Sequence, residues 1–226
     1  MNYIARHPQP SSTSKPPTLL VLHGYGTDEH DLLPIAEQVS RGRFLIVSLQ
    51  GPIELPNSGH AWYHLLQTPD GIIPDNPSRH DSEEQLLAAL PNIIEQEGGD
   101  PSRVVLMGFS QGAAVLYSLV AIYDLTSPLP SGRGAGVRAL ASINMSGYLP
   151  RDIFEALAER PFNGFPFFLC HGEYDELIPS QALAEAEEWL AKQGAQVTAK
   201  MYPVGHGVLP ETVEEITVWL RQLMND

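Results

Sequence analysis

A serine stands at the centre of a short motif bounded by glycines, Gly108-Phe109-Ser110-Gln111-Gly112. An apolar run of strand length, residues 104–107, precedes the motif, and a largely apolar helical stretch, residues 111–122, follows it. A serine on a sharp strand-to-helix turn presents its hydroxyl as a nucleophile, and only glycine avoids a collision two positions to either side. The turn also leaves the Gln111 backbone N–H at a helix N-terminus, where an oxyanion is favoured. We therefore predict Ser110 as a nucleophile and Gln111 N–H as an oxyanion donor, against the alternative of a glycine-rich turn with an incidental serine.

The Ser110 hydroxyl needs a general base, and His206 is the favoured candidate among the eight histidines. It lies between the last predicted strand and the last predicted helix, and its glycine neighbours suit a loop that turns the imidazole toward the sheet. Asp175 lies between Ser110 and His206 in sequence, in agreement with the order serine, acid, histidine. We predict that this carboxylate orients the imidazole, with Glu173 as the nearest rival and Asp152 as a weaker one.

The remaining histidines have other surroundings. We interpret them as structural residues in His-Gly turns at strand ends (His23 and His171), as surface residues (His7, His30 and His80), or as candidates for a pocket on either side of a tryptophan (His60 and His64).

A second oxyanion donor is normally supplied by the loop after an early strand. The segment His23-Gly24-Tyr25-Gly26 directly follows the apolar run 18–22. Its glycines allow the backbone to turn its amides inward. We therefore predict Tyr25 N–H as the second donor.

The elements that must position these residues alternate between strand and helix patterns. After a short first strand, apolar runs of strand length occupy residues 18–23, 44–49, 104–107, 137–143, 165–170 and 196–201. Helical patterns occupy residues 29–40, 82–97, 111–122, 181–193 and 211–224, and we expect Pro91 to kink or split the second of them. Because several strands are apolar throughout, we predict an α/β fold, a mostly parallel central sheet with helices on both faces. We expect one domain over residues 1–226, with residues 1–17 as an N-terminal strand and loop.

Two stretches, residues 51–80 and 124–136, resist this assignment because they are rich in turn-forming residues. Long loops are often functional, and both stretches follow strands, where open α/β sheets bind ligands. The first stretch carries apolar side chains that could wall a groove for substrate, with packing against the sheet as the alternative: Trp62, Tyr63, Leu65, Leu66, Ile72 and Ile73.

Composition narrows the classes of function. The net charge of −14, from 13 basic and 27 acidic side chains, repels phosphate backbones and makes nucleic acid an unfavourable partner. We expect no membrane span, because no apolar run reaches the length that a spanning helix needs. The N-terminus lacks a signal-peptide pattern, and the single cysteine, Cys170, precludes an intramolecular disulfide. These features favour the cytoplasm, and the residue patterns predict no metal site.

Six segments together resemble the phospholipase/carboxylesterase family of α/β-hydrolases, which includes the acyl-protein thioesterases. They follow one another in family order from about residue 18 onward: Leu22-His23-Gly24-Tyr25-Gly26, Ala61-Trp62-Tyr63, Gly108-Phe109-Ser110-Gln111-Gly112, Ser146-Gly147-Tyr148-Leu149-Pro150, His171-Gly172-Glu173-Tyr174-Asp175 and Tyr202-Pro203-Val204-Gly205-His206.

The resemblance implies an α/β-hydrolase fold without a large cap domain, and it implies the same catalytic and oxyanion residues. It also implies that the loop around Trp62 borders the acyl pocket, so we predict Trp62, Tyr63 and Leu65 as substrate-binding residues. It implies no cofactor, an ester or thioester substrate carried by a small molecule, lipid or acylated protein, and a homodimer in some members. The chain departs from the family near the pocket, with Tyr25 in place of a common leucine, Thr27 in place of an aspartate, and His60 and His64 beside the tryptophan.

The residues and the resemblance together predict a serine hydrolase that forms an acyl-enzyme from esters or thioesters with short to medium, neutral acyl chains. One alternative is an acyltransferase or perhydrolase, in which another nucleophile replaces water. A second alternative is a catalytically silent ligand-binding module, which an intact set of Ser110, Asp175 and His206 disfavours.

Overall fold

The computed structural model describes residues 1–9, 15–56, 59–69, 71–126, 136–153 and 162–224. Its centre is a seven-stranded sheet in the spatial order β1-β3-β2-β8-β9-β10-β11. The strands are β1 (Tyr3–Arg6), β2 (Pro17–Leu22), β3 (Leu45–Leu49), β8 (Asp100–Phe109), β9 (Ala139–Met145), β10 (Pro166–Gly172) and β11 (Gln196–Tyr202).

All neighbouring pairs in this sheet are parallel except β1 and β3, which pair antiparallel with Tyr3 opposite Leu49. The central strands are apolar throughout because both of their faces are covered. In β2, for example, Leu20 and Leu22 contribute to one layer of the core, whereas Leu19 and Val21 contribute to the other.

Within the described residues, five helices pack on the two faces of the sheet: α1 (Leu33–Ser40), α2 (Asn76–Gln96), α3 (Gln111–Ala121), α4 (Gln181–Lys192) and α5 (Pro210–Leu223). Buried side chains of α2, α3 and α4 form one core layer, and those of α1 and α5 form the other. The predicted fold class, a mostly parallel sheet with helices on both faces, is therefore confirmed.

Helix α2 differs from its prediction at two points. It begins at Asn76 rather than at residue 82, because the Asp75 side chain caps it by accepting a hydrogen bond from the Ser78 backbone N–H. Pro91 lies inside the helix and does not split it, since the helix continues to Gln96.

The described residues of the region 51–80 contain more regular structure than the loop that the sequence indicates. They form two antiparallel pairs before α2 begins. These are β4 (Ile53–Glu54) with β5 (His60–Ala61), and β6 (Leu65–Thr68) with β7 (Gly71–Pro74). The second expected loop, 124–136, lies mostly outside the described residues.

The single cysteine, Cys170, lies in β10 and is buried between β9 and β11. Burial raises the pKa of its thiol to about 12. None of the helices in the described part of the chain is long and apolar enough to cross a membrane.

Candidate active site

Ser110 lies on the turn between β8 and α3, at the carboxyl edge of the sheet. Its φ of 54° falls in the left-handed region, which costs a non-glycine residue about 1–3 kcal/mol. A Cβ added to Gly108 would lie 2.8 Å from the Gly112 carbonyl carbon, and one added to Gly112 would lie 2.2 Å from the Leu22 carbonyl oxygen. A side chain at either position would collide with backbone atoms, which explains why both flanking residues are glycine.

His206 lies after β11 and faces Ser110. Its Nε2 is 2.9 Å from Ser110 Oγ, and its Nδ1 is 2.7 Å from Asp175 Oδ2. Since a carboxylate only accepts hydrogen bonds, Nδ1–H donates to Asp175 and leaves Nε2 to accept from the serine hydroxyl. The Phe109 ring lies against the imidazole, with a centroid distance of 4.8 Å.

Asp175 follows β10, and its second carboxylate oxygen is held by the backbone. Oδ1 accepts hydrogen bonds from the Leu177 and Ile178 N–H groups, both at 2.9 Å. Burial favours a higher pKa for Asp175, but the hydrogen bonds from Ile178, His206 and Leu177 outweigh it and hold the pKa below its ordinary value. The carboxylate therefore stays ionised and available to an imidazolium.

The two rival carboxylates lie elsewhere. Glu173 has an exposed side chain. Asp152 pairs with the buried Arg79 and with His80 Nε2, the latter at 2.8 Å. His80 is thus only partly exposed and bonded to Asp152, rather than a free surface residue.

His171 contributes a contact that the sequence did not indicate. Its Nε2 lies 3.0 Å from the Ile178 carbonyl oxygen and 3.2 Å from Asp175 Oδ2. Because both atoms are acceptors, Nε2 carries a proton and donates to them. His171 is a buried structural residue, as expected, and it also supports the Asp175 loop.

The two predicted oxyanion donors flank the same cavity. Tyr25 and Gln111 both line it beside Ser110. Within the described residues, neither backbone N–H has a hydrogen-bond acceptor. Both amides are therefore available to a tetrahedral oxyanion formed at Ser110.

The Gln111 side chain fastens this site to the segment after β5. Its Oε1 accepts from the Trp62 backbone N–H at 2.8 Å, and its Nε2 donates to the Tyr63 carbonyl at 2.7 Å. The sequence did not reveal this role, since the motif alone points only to the Gln111 backbone.

Trp62 requires a correction to the prediction that its side chain binds substrate. The side chain is 0% exposed and does not line the cavity. Its indole Nε1–H donates to the His23 carbonyl at 3.0 Å, so the ring lies beneath the site and supports the loop that carries Tyr25.

The cavity next to Ser110 has a volume of about 1340 Å³. Leu65 lines it, and so does Tyr63 although Tyr63, like Trp62, is 0% exposed, whereas His60 and His64 do not line it. Its other apolar walls come from the β6–β7 hairpin and from the loops after β9 and β10: Ile72, Ile73, Pro74, Leu149, Leu177, Ile178 and Pro179.

The site brings together a serine hydroxyl, an imidazole bonded to a carboxylate, and two amides that have no acceptor among the described residues, an arrangement that could attack a carbonyl carbon. In the described part of the chain, no group of three or more histidine, cysteine, aspartate or glutamate residues could hold a metal ion.

Fold and site together define an α/β hydrolase, and comparison with known proteins specifies the family. The phospholipase/carboxylesterase family model matches residues 8–224, so the chain belongs to this family. It is 27% identical to acyl-protein thioesterase 1 of Gibberella zeae, covering 94% of this chain and 93% of the relative. It is 28% identical to a probable carboxylesterase SOBER1-like protein of Arabidopsis thaliana, covering 91% of this chain and 78% of the relative.

Among solved structures, the Bacillus cereus carboxylesterase superimposes with a TM-score of 0.81 at 25% identity, covering 99% of this chain and 94% of that one. These relatives identify the chain as a hydrolase of the esterase and thioesterase kind.

Proposed function

We propose that Ser110, His206 and Asp175 hydrolyse carboxylic esters and thioesters through an acyl-enzyme. The observation that carries the proposal is the continuous hydrogen-bond chain from Ser110 Oγ through His206 to Asp175 Oδ2. The loop after β10 and the loop after β11 supply the acid and the base, and the turn after β8 supplies the nucleophile.

Ser110 Oγ attacks the carbonyl carbon while His206 Nε2 takes the hydroxyl proton. Asp175 stabilises the resulting imidazolium, and the Tyr25 and Gln111 amides bind the tetrahedral oxyanion. His206 then donates its proton to the departing alcohol or thiol, which leaves the acyl group on Ser110. Water attacks this acyl-enzyme by the same steps and releases the acid.

The substrates are small-molecule esters or acylated proteins or lipids, with neutral acyl chains of short to medium length. The names of the relatives, acyl-protein thioesterase and carboxylesterase, support the two kinds of bond. The apolar cavity walls support an acyl site, with Leu65 and Tyr63 as binding residues. Two acidic side chains, Asp31 and Glu185, line the cavity together with one basic side chain, Arg151. This excess of negative charge disfavours an anionic acyl chain.

A cytoplasmic location and a homodimer belong to the same proposal. The single cysteine fits a reducing compartment, because the chain has no disulfide to protect.

Replacement of the nucleophile tests the proposed function. Ser110→Ala is expected to lower kcat/KM for a p-nitrophenyl ester by roughly 10³-fold or more, with the fold retained. An organophosphonate should label the wild-type protein once, on Ser110, and should not label the variant. Ser102→Ala, at an exposed serine at the start of β8, is the control and should behave as wild type. Near-normal turnover by Ser110→Ala, or a phosphonate adduct on another residue, contradicts the proposal.

A further inference from the structure

The carbonyl oxygen of Gly24 has two side-chain hydrogen-bond partners within its own loop. His23 Nδ1 lies 2.6 Å from it, and Thr27 Oγ1 lies 3.1 Å from it. Gly24 follows β2 directly and packs against the nucleophile turn, where a Cβ at this position would lie 3.6 Å from Ser110 Cβ.

The proton positions on these two side chains follow from the surrounding backbone. The Gly51 backbone N–H donates to His23 Nε2 at 2.9 Å, so Nε2 is the unprotonated nitrogen. Burial lowers the pKa of His23, which keeps the ring neutral and leaves its one proton on Nδ1. Nδ1–H therefore donates to the Gly24 oxygen, and the Thr27 hydroxyl is the second donor to the same oxygen.

This oxygen belongs to the peptide unit that carries the Tyr25 N–H. The peptide unit is planar and trans, so its oxygen and its hydrogen point in opposite directions. Two donors that fix the Gly24 oxygen therefore fix the direction of the Tyr25 N–H. They also polarise the amide and strengthen it as a donor.

We propose that Thr27 is a positioning residue of the oxyanion hole, whose hydroxyl acts together with His23 Nδ1–H to hold the Gly24–Tyr25 peptide with its N–H toward the reacting carbonyl. The inference rests on the proposed function, because it assigns Tyr25 N–H to the oxyanion.

The backbone of Thr27 holds the loop independently of its hydroxyl. The His60 backbone N–H donates to the Thr27 carbonyl at 2.7 Å, and the Gly26 N–H donates to the His60 carbonyl at 2.9 Å. A substitution that keeps the shape of the side chain therefore removes the contact to the Gly24 oxygen and leaves the loop anchored.

Thr27→Val tests the inference because valine keeps the branched shape and lacks the hydroxyl, whereas Thr27→Ser keeps the hydroxyl. In Thr27→Val we expect kcat for an ester to fall about 10-fold, a part of the loss caused by removing one oxyanion donor, with KM nearly unchanged. A trifluoromethyl ketone, which forms a tetrahedral oxyanion adduct with an active serine, should lose affinity by a similar factor. The matching methyl ketone should bind as before, and Thr27→Ser should recover most of the loss.

Thr217→Val is the matched control. The Thr217 hydroxyl is buried and, like that of Thr27, donates to a backbone carbonyl, that of Val213, but it lies in α5 away from the cavity. This variant should change thermal unfolding at most and leave kcat at the wild-type value. Thr27→Ala provides a second variant without the hydroxyl if Thr27→Val unfolds.

Two outcomes overturn the inference alone: wild-type kcat and ketone affinity in Thr27→Val and Thr27→Ala, or a change confined to KM. A wild-type protein that turns over no ester and takes no phosphonate on Ser110 overturns the proposed function, and the inference with it.

Discussion

At the residue scale, Asp175 has the most constrained environment in the site. One carboxylate oxygen accepts two backbone N–H groups, and the other lies within reach of His206 and His171. Burial favours a higher pKa for Asp175, but the hydrogen bonds from Ile178, His206 and Leu177 outweigh it and hold the pKa below its ordinary value. The carboxylate is thus fixed in both charge and direction before a substrate arrives.

Asp175→Asn is expected to lower kcat by on the order of 10³- to 10⁴-fold, because an amide can present a donor to His206 Nδ1 and stabilise the wrong tautomer. Glu173→Gln is the matched control, since Glu173 is two residues away, also an acid, and exposed. Its kcat should stay close to wild type. Steady-state kinetics with one ester compare the two variants. Equal losses of kcat would show that Asp175 is not the carboxylate that orients His206.

The sequence indicated which residues the structure brings together better than it indicated their side-chain contacts. Ser110 was identifiable because the glycines, the strand and the helix around it constrain the turn, and His206 and Asp175 because chain order limits the choice. The burial of Trp62 was not predictable, since a tryptophan in a proline-rich segment can face a cavity or the core. The contacts of the Gln111 side-chain amide and of the Thr27 hydroxyl were also not predicted. Gln111 bonds to the backbone of Trp62 and Tyr63, which is distant in sequence, and Thr27 bonds to the Gly24 carbonyl, whose direction is set by the folded loop.

At the element scale, the β8–α3 turn depends on the absence of side chains at its flanks. A methyl group at Gly112 would overlap the Leu22 carbonyl oxygen at the end of β2, and a backbone atom cannot move aside as a flexible side chain can. The turn therefore ties α3 closely to the neighbouring strand as well as presenting Ser110.

Gly112→Ala is expected to lower the free energy of unfolding by about 1–3 kcal/mol or more. Gly207→Ala is the control for stability, because among the described residues a Cβ there has one neighbour within 4 Å, Val204 Cγ2 at 4.0 Å. That variant should be as stable as wild type. Urea denaturation followed by circular dichroism measures both, and a Gly112→Ala protein of wild-type stability would disprove the steric account.

Helix α2 is joined to its neighbours by a buried ion cluster. Arg79 Nη1 donates to Glu83 Oε1 at 2.8 Å and to Ser118 Oγ of α3 at 2.7 Å, and Arg79 also pairs with Asp152 after β9. Burial raises the pKa of Glu83 to about 7, against the opposing influence of Arg79. The folded protein therefore binds a proton at Glu83 at a pH where the unfolded chain, with an ordinary pKa of 4.5, does not.

Because the folded state binds the extra proton, this residue makes stability fall as the pH rises from about 4.5 to about 7. Glu83→Gln should remove that contribution, so the stability of wild type relative to the variant should decrease over this range. Glu84→Gln, at the exposed neighbour, should keep the wild-type pH dependence. Urea titrations at several pH values test this, and a wild-type-to-Glu83→Gln difference that is constant with pH would contradict it.

At the scale of the whole molecule, the sheet order brings together residues that are far apart in sequence. Ser110 follows β8, Asp175 follows β10 and His206 follows β11, and all three strands run parallel with their carboxyl ends at one edge. Apolar patterns predicted these strands and the five described helices, because the central strands are buried on both faces and the outer helices bury one face. The β6–β7 hairpin was missed because its apolar side chains are largely exposed, so they show no burial pattern.

That hairpin supplies a direct test of the acyl site. Leu65 lines the cavity and is 40% exposed, whereas its neighbour Leu66 is 44% exposed and does not line the cavity. In wild type, kcat/KM along an ester series should rise about fourfold per added carbon until the site is filled, and then level or fall. Leu65→Ser should flatten this rise and Leu66→Ser should not. A series that is flat in wild type, or altered equally by both substitutions, would place the acyl chain elsewhere.

Cys170 carries the only thiol of the chain and is buried in the middle of the sheet, so the labelling of this thiol reports unfolding. The thiol lies on β10 between two paired strands, and its raised pKa keeps it protonated at neutral pH. An alkylating reagent can reach it only when the sheet opens, so the rate of labelling reports how readily the sheet opens. The labelling rate of each variant described above can therefore be compared with that of wild type, without substrate. A faster rate identifies a substitution that weakens the fold, and an unchanged rate identifies one that acts on catalysis alone.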